Sequence, residues 1–145
     1  MIDILIIGTE PPCPRCDLLY KLIEQEAKNR LNIHLRHCSF DSSEANELGK
    51  KLGYKIGTAK EIAKAARINI DWNSVYELID LQKSRIDAER PADTWTPELD
   101  RMLKPCQNAA KSLGYLMTPI LVINGNVKHD GSVPSVQQLK EWLSM

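Results

Sequence analysis

The chain has 145 residues, of which 43% are hydrophobic, and its 19 basic residues balance 19 acidic ones. This length fits one domain with a core of its own. The formal net charge of +0 argues against a broad nucleic-acid surface, which needs a clustered excess of Lys and Arg. No apolar run approaches the ~18 residues of a membrane span, and the apolar N-terminus lacks a basic leader and a small-residue cleavage site. We therefore expect a cytoplasmic protein with no nucleic-acid or membrane partner, in which the four cysteines are reactive or metal-binding thiols.

The N-terminal part of the chain has the pattern of a strand, a helix and a second strand. Residues 2–7 are apolar on both faces, as in a central strand. A helix is predicted over about 14–30, where apolar residues recur at helical spacing. A strand is predicted over 32–38, where Ile33 and Leu35 alternate with polar residues. The two strands of such a unit are parallel, so the second strand ends at the sheet edge where the helix begins.

The middle of the chain, approximately residues 41–113, shows no strand signal and is predicted to be helical. Helix starts are expected near Ser43, Thr58, Asp71 and Thr96. Pro105 is expected to kink or restart the helix that runs to about Leu113. The ending Leu-Gly-Tyr occurs twice, at 52–54 and 113–115, each time after a polar helix. An inserted helical region is therefore expected within either about 41–96 or about 55–113.

The C-terminal part predicts two strands and a helix. Residues 120–123 form an apolar strand, the Asn-Gly pair at 124–125 favours a tight hairpin turn, and 127–130 form the returning strand. Ser135 and Gln138 have the spacing of a capping box that opens the last helix. The whole chain, 1–145, is therefore expected to fold as a single α/β domain.

The tetrapeptide Cys13-Pro14-Arg15-Cys16 is the part of the sequence most indicative of chemistry. It lies at the first turn of a helix, where unpaired N–H groups and the helix dipole favour a thiolate at Cys13. Cys16, one turn along, is expected to be more buried and to remain a thiol. Pro14 suits the first helical turn, and Arg15 adds a positive charge that favours the thiolate and with it the reduced form. Redox chemistry is the expected role, and half of a zinc site or two incidental cysteines are the alternatives.

Thr118 and Pro119 stand immediately before the third predicted strand. Together with the CxxC pair, they make the chain resemble the thioredoxin/glutaredoxin superfamily. In that superfamily a cis proline faces the CxxC pair, and the backbone before the proline pairs with the substrate. The resemblance is closest to small thioredoxin-like redox-active disulfide proteins, and it covers about the first 40 and the last 35 residues. The segments that carry it are 6–9, 13–16, 118–125, 127–128 and 131–135.

This resemblance implies a thioredoxin-like fold: a four-stranded mixed sheet flanked by helices, with the strands in the order second, first, third, fourth. The helical region would be an insertion at the active-site edge, similar to the one that shapes a substrate groove in DsbA-like proteins. Cys13 would attack a disulfide, Cys16 would resolve the mixed disulfide, and Thr118 and Pro119 would face the substrate. The implied partners are a disulfide-containing protein or small thiol substrate and an upstream electron donor, and no cofactor is expected. A cytoplasmic location and Arg15 favour the reducing direction.

The chain departs from the superfamily pattern near the first cysteine. Where typical thioredoxins carry a buried Asp, this sequence has Ile7. Glu10, followed by two prolines, precedes Cys13. Glu10 could replace the missing proton carrier, but it is more simply explained as a solvated loop acid.

Two further cysteines, Cys38 and Cys106, follow the second strand and Pro105 respectively. They could form a structural disulfide, a second redox pair or an onward relay from the CxxC pair. The alternative is that both are buried free cysteines that pack as small apolar side chains.

His34 and His37 follow the two CxxC cysteines in an order that resembles a zinc-ligand pattern. Their spacing is too short for the common zinc finger, and in a strand the two side chains point to opposite faces. We therefore expect surface or packing roles for both and no metal site. A thioredoxin-fold binding module without catalysis, or a thiol-based metal-binding protein, is the alternative to an enzyme.

Overall fold

The computed structural model describes residues 1–28 and 30–144. Short 3₁₀ turns cover Pro91–Thr94 and Lys111–Leu113. The helices and strands in chain order are β1 (Ile2–Gly8), α1 (Pro14–Ala27), β2 (Ile33–Ser39), α2 (Ser43–Leu52), β3 (Lys55–Gly57), α3 (Ala59–Ala66), α4 (Trp72–Lys83), α5 (Pro97–Ala110), β4 (Tyr115–Met117), β5 (Ile120–Ile123), β6 (Asn126–Asp130) and α6 (Val136–Leu143). Within the described part of the chain, every helix is too short or too polar to span a bilayer.

The main sheet has four strands in the order β2-β1-β5-β6. β1 runs parallel to β2 and antiparallel to β5, which pairs antiparallel with β6. Both faces of β1 are buried: Ile4 and Ile6 pack with α1 and α6, whereas Leu5 and Ile7 pack on the other face with Ala45 of α2. The predicted mixed sheet, with helices on both faces, is confirmed.

The prediction that the middle region is entirely helical is wrong. β3 and β4 form a second, two-stranded parallel sheet, in which Lys55 lies opposite Tyr115. β3 begins directly after the first Leu-Gly-Tyr segment, and β4 begins at the tyrosine of the second. Gly53 and Gly114 adopt left-handed backbone conformations, with φ of 80° and 79°, and each ends the helical segment before its strand. The repeated tripeptide therefore marks two equivalent helix-to-strand turns.

Helix α5 continues through Pro105, so the prediction that the helix restarts at that residue is wrong. A proline inside a helix removes one backbone hydrogen bond and crowds the preceding turn. Buried side chains on both sides of the proline, among them Leu99, Leu103, Cys106 and Ala110, pack against α3, α4 and Met117 of β4. This packing stabilises the helix on both sides of Pro105.

A buried carboxylate fastens the segment between α4 and α5 to α1. Asp17, in the first turn of α1, accepts hydrogen bonds from Arg90 at 2.7 and 2.8 Å and from the N–H of Ala92 at 2.8 Å. Only 8% of the Asp17 side chain is exposed. Burial raises the pKa of Asp17, but these hydrogen bonds outweigh burial and the net pKa is lowered. The segment is thereby held beside the N-terminus of α1.

We expect Asp17→Asn to lower the free energy of unfolding by about 1–3 kcal/mol, because Arg90 loses its charged partner in a buried site. The folded pKa of Asp17 lies below its unfolded value of about 3.9. Its contribution is therefore complete above that pH and is lost as the pH falls through the folded pKa. Denaturant unfolding of both proteins, followed from neutral to acidic pH, measures the difference and its disappearance.

Glu24→Gln is the matched control for this prediction. Glu24 lies 3.7 Å from Arg90, but half of its side chain is exposed, so its loss should cost less than about 1 kcal/mol. Equal stabilities of Asp17→Asn and Glu24→Gln at neutral pH would contradict the role of Asp17.

Candidate functional site

The two cysteines of the CPRC segment lie at the start of α1. Cys13 is the N-cap residue, and Pro14 occupies the first helical turn, where it has no N–H to leave unpaired. Cys13 Sγ lies 3.1 Å from Cys16 Sγ and accepts a hydrogen bond from the Cys16 N–H at 3.4 Å. The Cys13 N–H donates to Thr9 Oγ1 at 2.8 Å. Both sulfurs are free thiols, with Cys13 partly exposed and Cys16 fully buried behind it.

The surroundings of Cys13 and Cys16 shift the pKa values of the two thiols in opposite directions. The hydrogen bond from the Cys16 thiol, helped by the Cys16 N–H and the charge of Arg15, outweighs burial and lowers the pKa of Cys13 to about 6. The same hydrogen bond, together with burial, raises the pKa of Cys16 well above its ordinary value. At neutral pH the partly exposed sulfur is therefore mostly a thiolate, while the buried sulfur keeps its proton.

The Thr118–Pro119 segment lies at the same edge of the main sheet as the dithiol. The peptide bond between these residues is cis. In the antiparallel pairing of β1 with β5, Pro119 comes level with Gly8, the last residue of β1. Cys16 packs directly over that glycine, because a Cβ at Gly8 would lie 2.7 Å from Cys16 Sγ.

Residues 98–144 match the family described as a thioredoxin domain. The match runs from α5 to α6 and includes Pro119 and its neighbouring strands, while the CPRC segment lies outside it. Together with the four-stranded mixed sheet and its helices, this match decides the fold. The chain has a thioredoxin-like fold. Comparison with curated proteins and with solved structures finds no match for the chain.

In this thioredoxin-like protein, the backbone donor of Thr118 is already engaged. Its N–H donates to the Gly57 carbonyl at 3.0 Å, which extends the pairing of β3 with β4 by one residue. Thr118 is also buried, with 3% of its surface exposed. A substrate backbone could therefore use this N–H only if β3 released it.

Arg15 is buried and forms an ion pair with Asp100, so its positive charge does not act on the Cys13 thiolate alone. Its Nε donates to Asp100 of α5 at 2.7 Å, and its Nη2 donates to the Gly131 carbonyl. Asp100 also accepts from the Val133 N–H at 3.1 Å, and the Gly131 N–H donates to the Pro119 carbonyl at 3.1 Å. Arg15 thus ties α1 to α5 and to the loop that follows β6, beside Pro119. Its charge is a minor contribution to the acidity of the N-cap thiol.

A groove of about 550 Å³ opens beside Cys13. One side is formed by the residues around the N-cap, and the other by α4 and the segment 88–91, which Asp17 fastens to α1. Its main lining residues are Pro12, Cys13, Pro14, Tyr76, Ile79 and Arg90. The predicted helical region therefore supplies one wall of the space next to the exposed sulfur.

Cys38 and Cys106, the suggested second redox pair, pack in different hydrophobic clusters. Cys38 contacts the cluster on the α2 face of the main sheet, whereas Cys106 lies among α3, α4 and α5. Both are free thiols, and burial raises the pKa of each. The two thiols therefore pack in separate clusters, with Cys106 buried and Cys38 partly exposed.

The two histidines of β2 lie on opposite faces of the sheet. His34 is exposed, and its Nδ1 lies 3.3 Å from Asp3. His37 is mostly buried beside Cys16, a placement that sequence reasoning missed because it depends on how β1 and β2 pair. Among residues 1–28 and 30–144, no cluster of three or more His, Cys, Asp or Glu side chains is arranged to hold a metal ion.

We expect the alkylation rate of Cys13 to rise with a midpoint near pH 6, in line with a pKa lowered to about 6. Cys16→Ala removes the thiol donor, so the midpoint should move up toward the value of about 8.5 for a free cysteine. Iodoacetamide labelling followed by mass spectrometry between mildly acidic and alkaline pH gives both values. Cys38→Ser is the control and should leave the midpoint unchanged. A wild-type midpoint like that of free cysteine would refute the assignment.

We expect Asp100→Asn to lower the free energy of unfolding by about 3 kcal/mol, because it leaves the buried Arg15 charge without its partner. The alkylation midpoint of Cys13 should also fall, since the Arg15 charge is then no longer offset. Denaturant unfolding and thiol labelling measure the two effects. Glu98→Gln, which removes an exposed ion pair on the same helix, is the control and should cost less than about 1 kcal/mol. If Asp100→Asn is as stable as Glu98→Gln, the buried pair does not have this role.

Proposed function

We propose that this thioredoxin-like protein is a thiol–disulfide oxidoreductase in which Cys13 attacks and Cys16 resolves. The observation that carries the proposal is the arrangement of the two sulfurs. A partly exposed sulfur, with its pKa lowered to about 6, lies 3.1 Å from a buried sulfur that keeps its proton. Attack on a disulfide requires a thiolate, and resolution requires a second thiol within bonding reach.

In the proposed reaction the Cys13 thiolate attacks one sulfur of a substrate disulfide. A mixed disulfide forms, and the other substrate sulfur leaves as a thiolate that takes up a proton. Cys16 then loses its proton and attacks Cys13 Sγ, which releases the second substrate thiol. The substrate gains two electrons, and Cys13 and Cys16 become a disulfide. A thiol or dithiol electron donor returns the pair to the reduced form by the same exchange.

The proposed direction is reduction of the substrate. A lowered pKa at Cys13 stabilises the dithiol, which by itself weakens its reducing power. The positive charge of Arg15, a minor contribution to that lowering, therefore does not favour the reducing direction, contrary to the expectation from the sequence. Thioredoxin, a reductant, has a nucleophile with a pKa of about 7, and DsbA, a strong oxidant, has one of about 3.5. The value of about 6 for Cys13 lies nearer to the reductant. A reducing role also suits the proposed cytoplasmic location, where thiol pools keep cysteines reduced.

The groove beside Cys13 is the proposed binding surface for the substrate. It is open, mainly apolar and about 550 Å³ in volume, which suits a disulfide-bearing segment of a partner protein. Tyr76 and Ile79 of α4 would contact the residues around that disulfide. Because the Thr118 N–H is engaged with Gly57, the role proposed for Thr118 and Pro119 is to border the dithiol rather than to donate to the substrate.

Trapping of the mixed disulfide tests this function. Cys16→Ser retains the nucleophile but has no resolving thiol, so incubation with a disulfide-bonded peptide should yield one covalent peptide adduct on Cys13. Cys13→Ser is the matched control and should yield none. With excess dithiol as electron donor, the wild type should reduce the peptide over many turnovers. Intact-mass measurement and a thiol assay give these results, and equal adducts on the two variants, or a wild type without turnover, would overturn the proposal.

A further inference from the structure

His37 and the resolving thiol occupy the space above one glycine. A Cβ at Gly8 would lie 2.7 Å from Cys16 Sγ and 3.2 Å from His37 Nε2. The parallel register of β1 and β2 pairs His37 with Ile6, which places the imidazole on the face of the sheet that α1 covers. The absence of a side chain at Gly8 therefore lets a buried thiol and an imidazole approach each other.

The His37 imidazole faces the space above Gly8 with its Nε2 nitrogen. His37 Nδ1 lies 3.5 Å from Glu10 Oε2, while Nε2 is buried and has no hydrogen-bond partner among residues 1–28 and 30–144. A carboxylate at Nδ1 favours the tautomer that carries its proton there, so Nε2 presents a lone pair. An unpartnered buried nitrogen costs free energy, and a thiol that donates to it would recover part of that cost.

The second half of the proposed reaction needs a proton acceptor at this place. Cys16 is fully buried, and its pKa is raised well above the ordinary value. Once Cys13 is bonded to the substrate, its sulfur is no longer an anion that could accept the proton. Where typical thioredoxins carry a buried Asp, this chain has Ile7, which cannot accept a proton. The charged and titratable groups facing the thiol and the imidazole are Cys13, Arg15 and Glu10.

We propose that His37 accepts the proton of Cys16 during resolution and that Glu10 positions the imidazole. This inference rests on the proposed function and adds a residue to it. The Cys16 thiol passes its proton to His37 Nε2, directly or through one water, and the new thiolate attacks Cys13 Sγ. The bond between Cys13 and the substrate sulfur breaks, and the electron pair leaves with the substrate thiolate. That thiolate or solvent then takes the proton from the imidazolium, so His37 is neutral again.

A single-turnover reaction with dithiobis(nitrobenzoate) separates the two steps, because each step releases one coloured thiolate. In the wild type, attack by Cys13 should release the first equivalent and resolution by Cys16 the second. His37→Gln keeps a polar side chain but has no base. It should slow the second release by at least about tenfold at neutral pH and leave the first within about twofold. His34→Gln, a change at the exposed histidine of the same strand, is the matched control and should leave both rates unchanged.

The pH profile of the second release distinguishes a proton acceptor from a structural role. In His37→Gln, the buried thiol must ionise unaided, so the rate should rise by about tenfold for each pH unit through the neutral range and approach the wild-type rate at alkaline pH. The wild-type rate should depend much less on pH over the same range. A purely structural effect would instead lower the second rate by one factor at every pH, and that result would overturn the proposal.

Glu10→Gln provides a second test at an exposed position, where the substitution leaves the core intact. It should slow the second release by about two- to fivefold and leave the first unchanged. If His37→Gln folds, an unchanged second release in that variant would refute the role of His37. If it does not fold, an unchanged second release in Glu10→Gln would refute that role. Release of two equivalents by the wild type would then still support the proposed function. A wild type that releases neither equivalent would refute the function itself.

Discussion

A proton held between two sulfurs at the start of α1 governs the chemistry available to this protein. One sulfur caps the helix and reaches the surface, and the other lies in the core. The hydrogen bond between Cys13 and Cys16 therefore joins two unequal environments, so it lowers the pKa of Cys13 and raises the pKa of Cys16. A nucleophilic thiolate and its protonated partner thiol therefore lie within a single helical turn.

The position of that pair depends on β1 as much as on the helix. Cys16 lies so close to Gly8 that a methyl group there would contact the sulfur at 2.7 Å and force it away from the sheet. A real Cβ essentially never makes so short a contact, so the Cys16 side chain or the backbone around it would have to shift. The same glycine brings the imidazole of β2 near the thiol. One residue without a side chain therefore sets the spacing of three elements around the site.

Two ion pairs, each with a buried member on α1, connect the helical region to this site. Asp17 holds the segment before α5 through Arg90, and Arg15 reaches Asp100 within α5. Asp17 and Arg15 both lie in the first turn of α1, next to the two cysteines. The groove beside Cys13 therefore has a wall that is fastened to the same helical turn as the nucleophile.

Local sequence patterns predicted the features that depend on neighbours in the chain. Apolar runs and alternation located β1, β2, β5 and β6, and the place of the CPRC segment after a strand put Cys13 at a helix N-terminus. The three-residue strands β3 and β4 are too short to show alternation, so only their pairing across 60 residues of chain reveals them. Arg15 meets a partner 85 residues away, and His37 meets Cys16 through the register of two strands. These contacts were decided by tertiary structure, because the burial and charge of a side chain depend on residues that no local pattern brings near it.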